Sequence, residues 1–222
     1  LFLLVGQIAL FSATAVMGIQ KHSSEFYYVL RQSGCALIGL LLMWGTSKIP
    51  YQRWRKLSYA LMFLQIVLLV ATHIGPFRHF AYGATRWLRI GPILFQPSEL
   101  AKITVTIFFA SLLARHKENP LPLKKWFTNG LPILATLLLI FRQPDLGTTT
   151  LLVVVLIGML FIAGFRLSYL ISFLGLGSLG FVFSIVQYGW RRKRLFAYLN
   201  PWADPQGTGF QTIQSFLSFH SG

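Results

Sequence analysis

What the chain lacks narrows its class before any motif is read. It has one cysteine, Cys35, so no disulfide framework can staple it. That residue lies in an apolar run, where the expectation is an inert thiol in the core. Only 11% of residues are charged, whereas a soluble domain carries about a quarter. Acidic residues number five against 20 Lys and Arg, for a formal net charge of +15. His73, His79, His116 and His220 show no metal-ligand spacing to one another, and His22 stands alone in a short loop. No Ser-His-Asp arrangement, phosphate-binding glycine loop or internal repeat occurs. Residues 1–19 have no basic n-region and no small-residue cleavage site, which argues against a signal peptide. Nucleic-acid binding needs a basic patch on a water-facing domain, and no segment is long enough to make one.

What is present is apolar length. The chain is 55% hydrophobic, with 20 Phe and 6 Trp. Seven segments approach the roughly 20 residues that cross a bilayer. They run over 1–19, 28–46, 57–74, 97–114, 127–141, 146–164 and 167–189. The class implied is an all-α polytopic membrane protein, with residues 1–189 as its helical bundle. The fifth segment is short, and only Arg142-Gln143-Pro144-Asp145 separates it from the sixth. Proline removes a backbone donor, so this joint is expected to be a tight turn or a break near one interface. Residues 190–222 turn polar, and Asn200 to Pro205 is too rich in Pro and aromatics for a helix, so an ordered external loop is expected. The chain opens on Leu1 inside an apolar run and closes on Gly222 in a polar one, so a fragment is expected.

Charge does not choose the topology alone. If the first helix runs outward, nine cations fall on inner connectors (among them Lys48, Arg53, Arg115, Lys117 and Arg166) and ten on outer ones. The plain basic look of 47–56 and 115–125 favours that orientation. It leaves an unusual number of cations facing outward, open to an anionic membrane ligand or anionic lipid.

The densest chemistry lies in Gly83 to Lys102, GATRWLRIGPILFQPSELAK. Polar groups at membrane depth cost about 2.5–3.5 kcal/mol each on insertion scales, so such a stretch marks function. Trp87 between Arg86 and Arg89 reads either as an interfacial anchor or as part of a phosphate site, because arginine recognises phosphate through two parallel bonds. Gln96-Pro97-Ser98-Glu99 reads as a helix start, with Ser98 and Glu99 able to satisfy free amides. Lys102 lies one turn in, on the face of Ser98 and Glu99; it can snorkel to the interface or line a polar cavity and meet a phosphate. Asp145 caps the sixth helix or pairs with Lys102 or Arg142. Arg191 to Arg194 are a solvated flank or lead a site into the loop carrying Trp202 and Asp204.

Taken together, these residues resemble the SEDS family (shape, elongation, division and sporulation). The matching pieces are Phe11-Ser12-Ala13-Thr14, Gly83-Ala84-x-Arg86-Trp87 and Gln96-Pro97-Ser98-Glu99-x-x-Lys102. They continue through Gln143-Pro144-Asp145-x-Gly147-Thr148 and Arg191-x-x-Arg194 to Pro201-Trp202-x-Asp204-Pro205-x-Gly207-x-Gly209-Phe210-Gln211. Together they span almost the whole chain in the family's order. Trp202 after Pro201 is similar to the FtsW/SpoVE branch rather than to RodA.

The resemblance implies a ten-helix protein of the bacterial inner membrane, at the division septum, of which seven helices and the start of a large extracytoplasmic loop are present. It implies that lipid II is polymerised into glycan strands, with a class B penicillin-binding transpeptidase and other division proteins as partners. The substrate-binding set it implies is Arg86, Trp87, Gln96, Ser98, Glu99, Lys102, Asp145, Arg191 and Trp202. Arg86, Lys102 and Arg191 would meet the diphosphate, and Glu99 and Asp145 would orient Lys102. The general base is expected in a His-Thr-Asp motif that residues 1–222 do not contain, so no catalytic residue is assigned here and Asp204 is not a substitute. No cofactor is certain; a divalent cation, Mg2+ or Mn2+, could assist the leaving group, although no ligand set identifies one. The competing expectations are a lipid II flippase and a non-catalytic division scaffold that recruits a transpeptidase. Lys102→Ala in the complete protein is expected to abolish polymerisation while the protein stays folded in the membrane; a variant that polymerises lipid II normally would remove the phosphate role.

Overall fold

The computed structural model describes residues 1–74, 78–81, 84–91, 93–116 and 123–221; Gly83, Lys117 and Gly222 lie outside the described residues. The chain forms two compact units, Leu1–Leu57 and Ser58–Gly222. In the first, helices α1 (Phe2–His22) and α2 (Tyr27–Ser47) form a hairpin. Ser23 turns the chain at φ 56, and Phe11 stacks on Phe26 and His22 on Tyr27 across the turn. Cys35 is exposed on α2, which corrects the expectation of a core thiol: no residue of α2 is buried in this unit.

Helix α3 (Tyr51–Ala71) begins one residue after Pro50, six residues before the apolar run that predicts it. Its first turns carry Gln52, Arg53, Arg55 and Lys56, which a water-facing helix end accepts. The second unit continues with α4 (Pro97–His116), α5 (Leu123–Arg142), α6 (Leu146–Ile162) and α7 (Leu167–Gln187). Among the described residues, α1, α2, α3, α4 and α7 are long and apolar enough to cross a membrane. The apolar parts of α5 and α6, Trp126–Arg142 and Leu146–Ile162, are shorter. At 1.5 Å per residue a 17-residue helix is about 26 Å long, just under the roughly 30 Å hydrocarbon core. The chain is a polytopic helical membrane protein.

Its core lies where α3, α4, α5 and α6 meet. Met62 and Leu69 of α3, Val105, Phe108 and Leu112 of α4, Ile140 of α5 and Leu152 of α6 are buried there together. A polar stripe runs beside this core. Ser58, Gln65 and Thr72 follow one another at intervals of seven, which keeps them on one face, and all three are fully buried. Ser58 donates to Ser111 of α4 at 3.3 Å, Gln65 accepts from Thr136 of α5 at 3.2 Å, and Thr72 accepts from Gln143 at 2.6 Å. Thr136 and Gln143 are also seven apart. In hydrocarbon, polar groups of this kind hold helices together because the alternative is an unmet hydrogen bond.

Two elements depart from the sequence reading. Residues between α3 and α4 form a three-stranded antiparallel sheet in the order β1 (Arg78–Ala81), β2 (Ala84–Ile90), β3 (Ile93–Phe95). Gly91, at φ 60, begins the tight turn between β2 and β3, which Ile90 and Ile93 close as partners. The segment after α7 is helical at both ends, as α8 (Gly189–Leu199) and α9 (Phe210–Ser221), around a 3₁₀ turn at Pro201–Ala203. Ala197, Pro201 and Ile213 are buried within it. A Cβ on Gly209 would fall onto the Pro201 carbonyl, well inside contact distance. Gly209→Ala is therefore expected to open this segment, read as faster proteolytic cleavage between α8 and α9 at unchanged membrane insertion; wild-type cleavage rates would show that the close approach is not needed.

Candidate functional site

Strand geometry explains how Arg86 reaches the bundle. Side chains alternate along β2, so Arg86 and Leu88 share one face while Trp87 and Arg89 share the other. Leu88 is 3% exposed and anchors the inner face, and β2 packs on α4. On the outer face Arg89 is exposed and donates only weakly, at 3.5 Å, to the Gly91 carbonyl. Trp87 is half-buried. Arg86 extends from this platform to the joint between α5 and α6. Its Nε donates to the Gln143 carbonyl at 3.0 Å and its Nη2 to the Pro144 carbonyl at 2.7 Å.

That joint is an end of α5. The last carbonyls of a helix lack partners within it and carry the negative end of its dipole, so a guanidinium is a fitting cap. The carbonyls occupy two of the three guanidinium nitrogens of Arg86. Its Nη1 makes no bond to a described residue and can meet a ligand.

Arg191, in α8, comes to the same place from the other side. It is 5% exposed, lies 5.6 Å from the ring of Phe141 on α5 and 4.5 Å from that of Tyr188, and donates through Nη1 to the Ser184 hydroxyl and carbonyl. Burial lowers its pKa below the ordinary arginine range, and the positive charge of Arg86 lowers it further, against an opposing effect of Tyr188. The charge of Arg86 is thus felt at Arg191. Two like charges in a poorly hydrated setting raise each other's energy, and an anion reverses the sign of that interaction.

The first turns of α4 hold a second group. Gln96 donates to Ser98 at 2.9 Å, and Ser98 is fully buried. Glu99 pairs with Lys102 at 2.7 Å, with both side chains partly exposed. The expectation that Glu99 orients Lys102 matches this geometry. The expectation that Asp145 does so is corrected. Asp145 is the N-cap of α6: its carboxylate accepts from the Thr148 amide at 3.2 Å and the Thr148 hydroxyl at 2.9 Å. It stands beside the carbonyls that Arg86 holds, and among the described residues it pairs with neither Lys102 nor Arg142.

Trp202 is 63% exposed on the 3₁₀ turn, and among the described residues no hydrogen bond or ring contact joins it to Arg86 or Arg191. Asp204 closes the next turn on itself, accepting from the Thr208 amide and hydroxyl at 2.9 and 3.1 Å and from the Gly207 amide at 3.1 Å. Among the described residues no three His, Cys, Asp or Glu side chains gather to hold a metal. Glu99, Asp145 and Asp204 each have other partners, so this donor set does not fit Mg2+ or Mn2+, and no step is derived through a metal. The residues that sequence reasoning missed are Thr72, Phe141, Ser184 and Tyr188. The stripe at intervals of seven in α3 is the signal that could have found Thr72.

Fold and site define a polytopic helical membrane protein that gathers two arginines around the break between two short helices. The chain belongs to the cell cycle protein family of FtsW, RodA and SpoVE, which matches it over residues 1–222. It is 37% identical to a probable peptidoglycan glycosyltransferase FtsW of Geobacter sulfurreducens, over 98% of this chain and 58% of that protein. It is also 37% identical to the stage V sporulation protein E of Bacillus subtilis, over 100% of this chain and 61% of that protein. The chain thus spans about three fifths of the length of these curated relatives. Its fold is similar to a chain solved in a peptidoglycan synthase complex that coordinates polymerization and crosslinking. That match has a TM-score of 0.69 and 27% identity, over 97% of this chain and 63% of that one. A second match is the rod shape determining protein RodA of Thermus thermophilus, with a TM-score of 0.60 and 25% identity over 81% of this chain and 58% of that one.

Asp204 supplies a pH test of the loop. The Thr208 amide and hydroxyl, then the Gly207 amide and the charge of Lys193, hold its carboxyl below the ordinary 3.8. A depressed folded pKa contributes stability that is complete above the unfolded value and lost as pH falls through the folded one. Proteolysis between Asn200 and Gly209 is expected to be flat from neutral pH to about 5 and to rise only below the ordinary carboxylate range. Asp204→Asn should raise cleavage at neutral pH and remove the acid dependence; an unchanged profile in that variant would discard the account.

Proposed function

We propose that the complete protein is a peptidoglycan glycosyltransferase that polymerises lipid II at the outer face of the bacterial inner membrane during division. In this reading β2, the α5–α6 joint and α8 form a wall that holds the diphosphate of the lipid-linked substrate. One observation carries it: Arg86 caps the Gln143 and Pro144 carbonyls at the α5–α6 joint while buried Arg191 lies against Phe141 at the end of α5, so two guanidinium groups meet the same break. A diphosphate is the anion that bidentate guanidinium recognition suits. The names of the relatives and of the synthase complex support the same chemistry and a transpeptidase as partner.

The reaction places an acceptor-sugar 4-hydroxyl on the donor's anomeric carbon. A C–O bond forms there as the bond to the diphosphate oxygen breaks, the hydroxyl proton passes to a general base, and the undecaprenyl diphosphate departs as an anion. Arg86 and Arg191 would stabilise the charge that develops on the leaving group, and Lys102, held by Glu99, would approach it from α4. No residue of this chain is assigned as the base. Asp204 is a poor candidate because its carboxylate is engaged by the amides of its own turn. The transport reading has less support: the buried polar stripe of α3 is closed by bonds to α4 and α5 rather than open as a path.

The test measures glycan strands formed from purified lipid II by the complete protein. Arg86→Ala is expected to lower the rate by about 100-fold, as for loss of one donor to a developing oxyanion. Undiminished polymerisation by that variant would overturn the diphosphate wall. Lipid II movement across vesicle membranes without any glycan product from the wild-type protein would favour the transporter instead.

A further inference from the structure

Arg86 works from a short connector whose main chain bonds back to Leu139 and Ile140 of α5 and whose side-chain tie to α3 runs through Gln143. Both carbonyls it caps belong to residues 143 and 144, at the point where α5 has ended and α6 has not begun. The side chain of Gln143 ties this point to the bundle. It is 1% exposed, and its Nε2 donates to Thr72 Oγ1 at 2.6 Å across the seam between α5 and the end of α3. Its Oε1 is buried with no bond to a described residue, so the Thr72 contact alone orients the amide.

Thr72 Oγ1 lies 2.7 Å from the Leu69 carbonyl, to which it donates, 2.6 Å from Gln143 Nε2, from which it accepts, and 3.3 Å from His73 Nδ1. A serine could make both bonds and a valine neither, although valine has nearly the same shape. A side chain that carries no charge and meets no ligand thus helps set where the carbonyls of the α5–α6 joint stand, and those carbonyls hold Arg86.

We infer that Thr72 and Gln143 are positioning residues for Arg86, acting through the main chain of the α5–α6 joint on the recognition of the diphosphate substrate. This rests on the reading of Arg86 given above. Loss of the bond lets the joint relax, so the guanidinium keeps its charge but loses its place. A misplacement of the order of an ångström at a group that binds the diphosphate and stabilises its departure costs both recognition and the chemical step.

The experiment uses the complete protein with lipid II, and reads KM and kcat on the folded fraction isolated by size exclusion. Thr72→Val is expected to lower kcat/KM by about tenfold, with kcat falling as well because Arg86 also meets the developing leaving-group charge, and Thr72→Ser to restore the wild-type values. Should Thr72→Val yield no folded protein, Gln143→Met, which keeps the length and apolar bulk without the amide, carries the same test. Arg86→Ala is measured alongside. If Arg86→Ala leaves KM and kcat unaltered, the diphosphate wall fails and the inference falls with it. If Arg86→Ala is impaired but the folded Thr72 or Gln143 variant is not, the wall stands and the positioning role is overturned. Equal impairment of Thr72→Ser and Thr72→Val also overturns it, because the bond would then not be the cause.

Discussion

The second unit depends on how the end of α5 is satisfied. A helix that stops inside a membrane protein exposes carbonyls with no solvent at hand, and such groups cost several kcal/mol each if nothing meets them. Here Arg86 meets two, from a strand 57 residues earlier in the chain. The same contact brings the inner face of the sheet against the bundle, sets Asp145 free to cap α6, and leaves room for Arg191 above Phe141. If Arg86 is withdrawn, the carbonyls lose their donors, the sheet loses a tether and Arg191 loses its neighbour. On the proposed function, structure and recognition share one side chain.

This sharing accounts for the arrangement of charge. A cation used only for structure would be neutralised by a nearby carboxylate. Asp145 is the carboxylate next to these carbonyls, and it is turned toward Thr148 instead. Glu99 is matched to Lys102 in the first turns of α4. Arg86 is held by two carbonyls, and the contacts of Arg191 include a serine, a tyrosine ring and a phenylalanine ring. Dipoles fix a guanidinium without cancelling its charge, which keeps the positive potential available to an arriving anion.

Much of this was legible in the sequence because it depends on local rules. Pro97 and Asp145 mark the starts of α4 and α6, and the run from Leu167 marks α7. Glu99 and Lys102 face each other because three residues is close to one helical turn. The rest depends on contacts that spacing does not encode. The strands are three to seven residues long and carry arginines, so they read as a broken loop; the alternation of Arg86, Leu88 and Ile90 was the available signal. Asp145 offered capping and pairing alike, and only the fold shows that Thr148 is its partner. Trp202 looked like part of the site because it lies near Arg191 in sequence, but the 3₁₀ turn carries it outward.

The stripe of Ser58, Gln65 and Thr72 has a mechanical consequence. Its bonds engage α4 once, α5 once at Thr136 and the residue after α5 once at Gln143, and Thr136 and Gln143 are spaced by seven residues as well. With equal spacing on both helices, α3 and α5 advance in the same direction like two racks meshed at matching teeth. Turning α3 about its axis, or sliding it by a single turn, would unmesh every tooth at once. A rearrangement that kept these bonds would have to move α3 and α5 together.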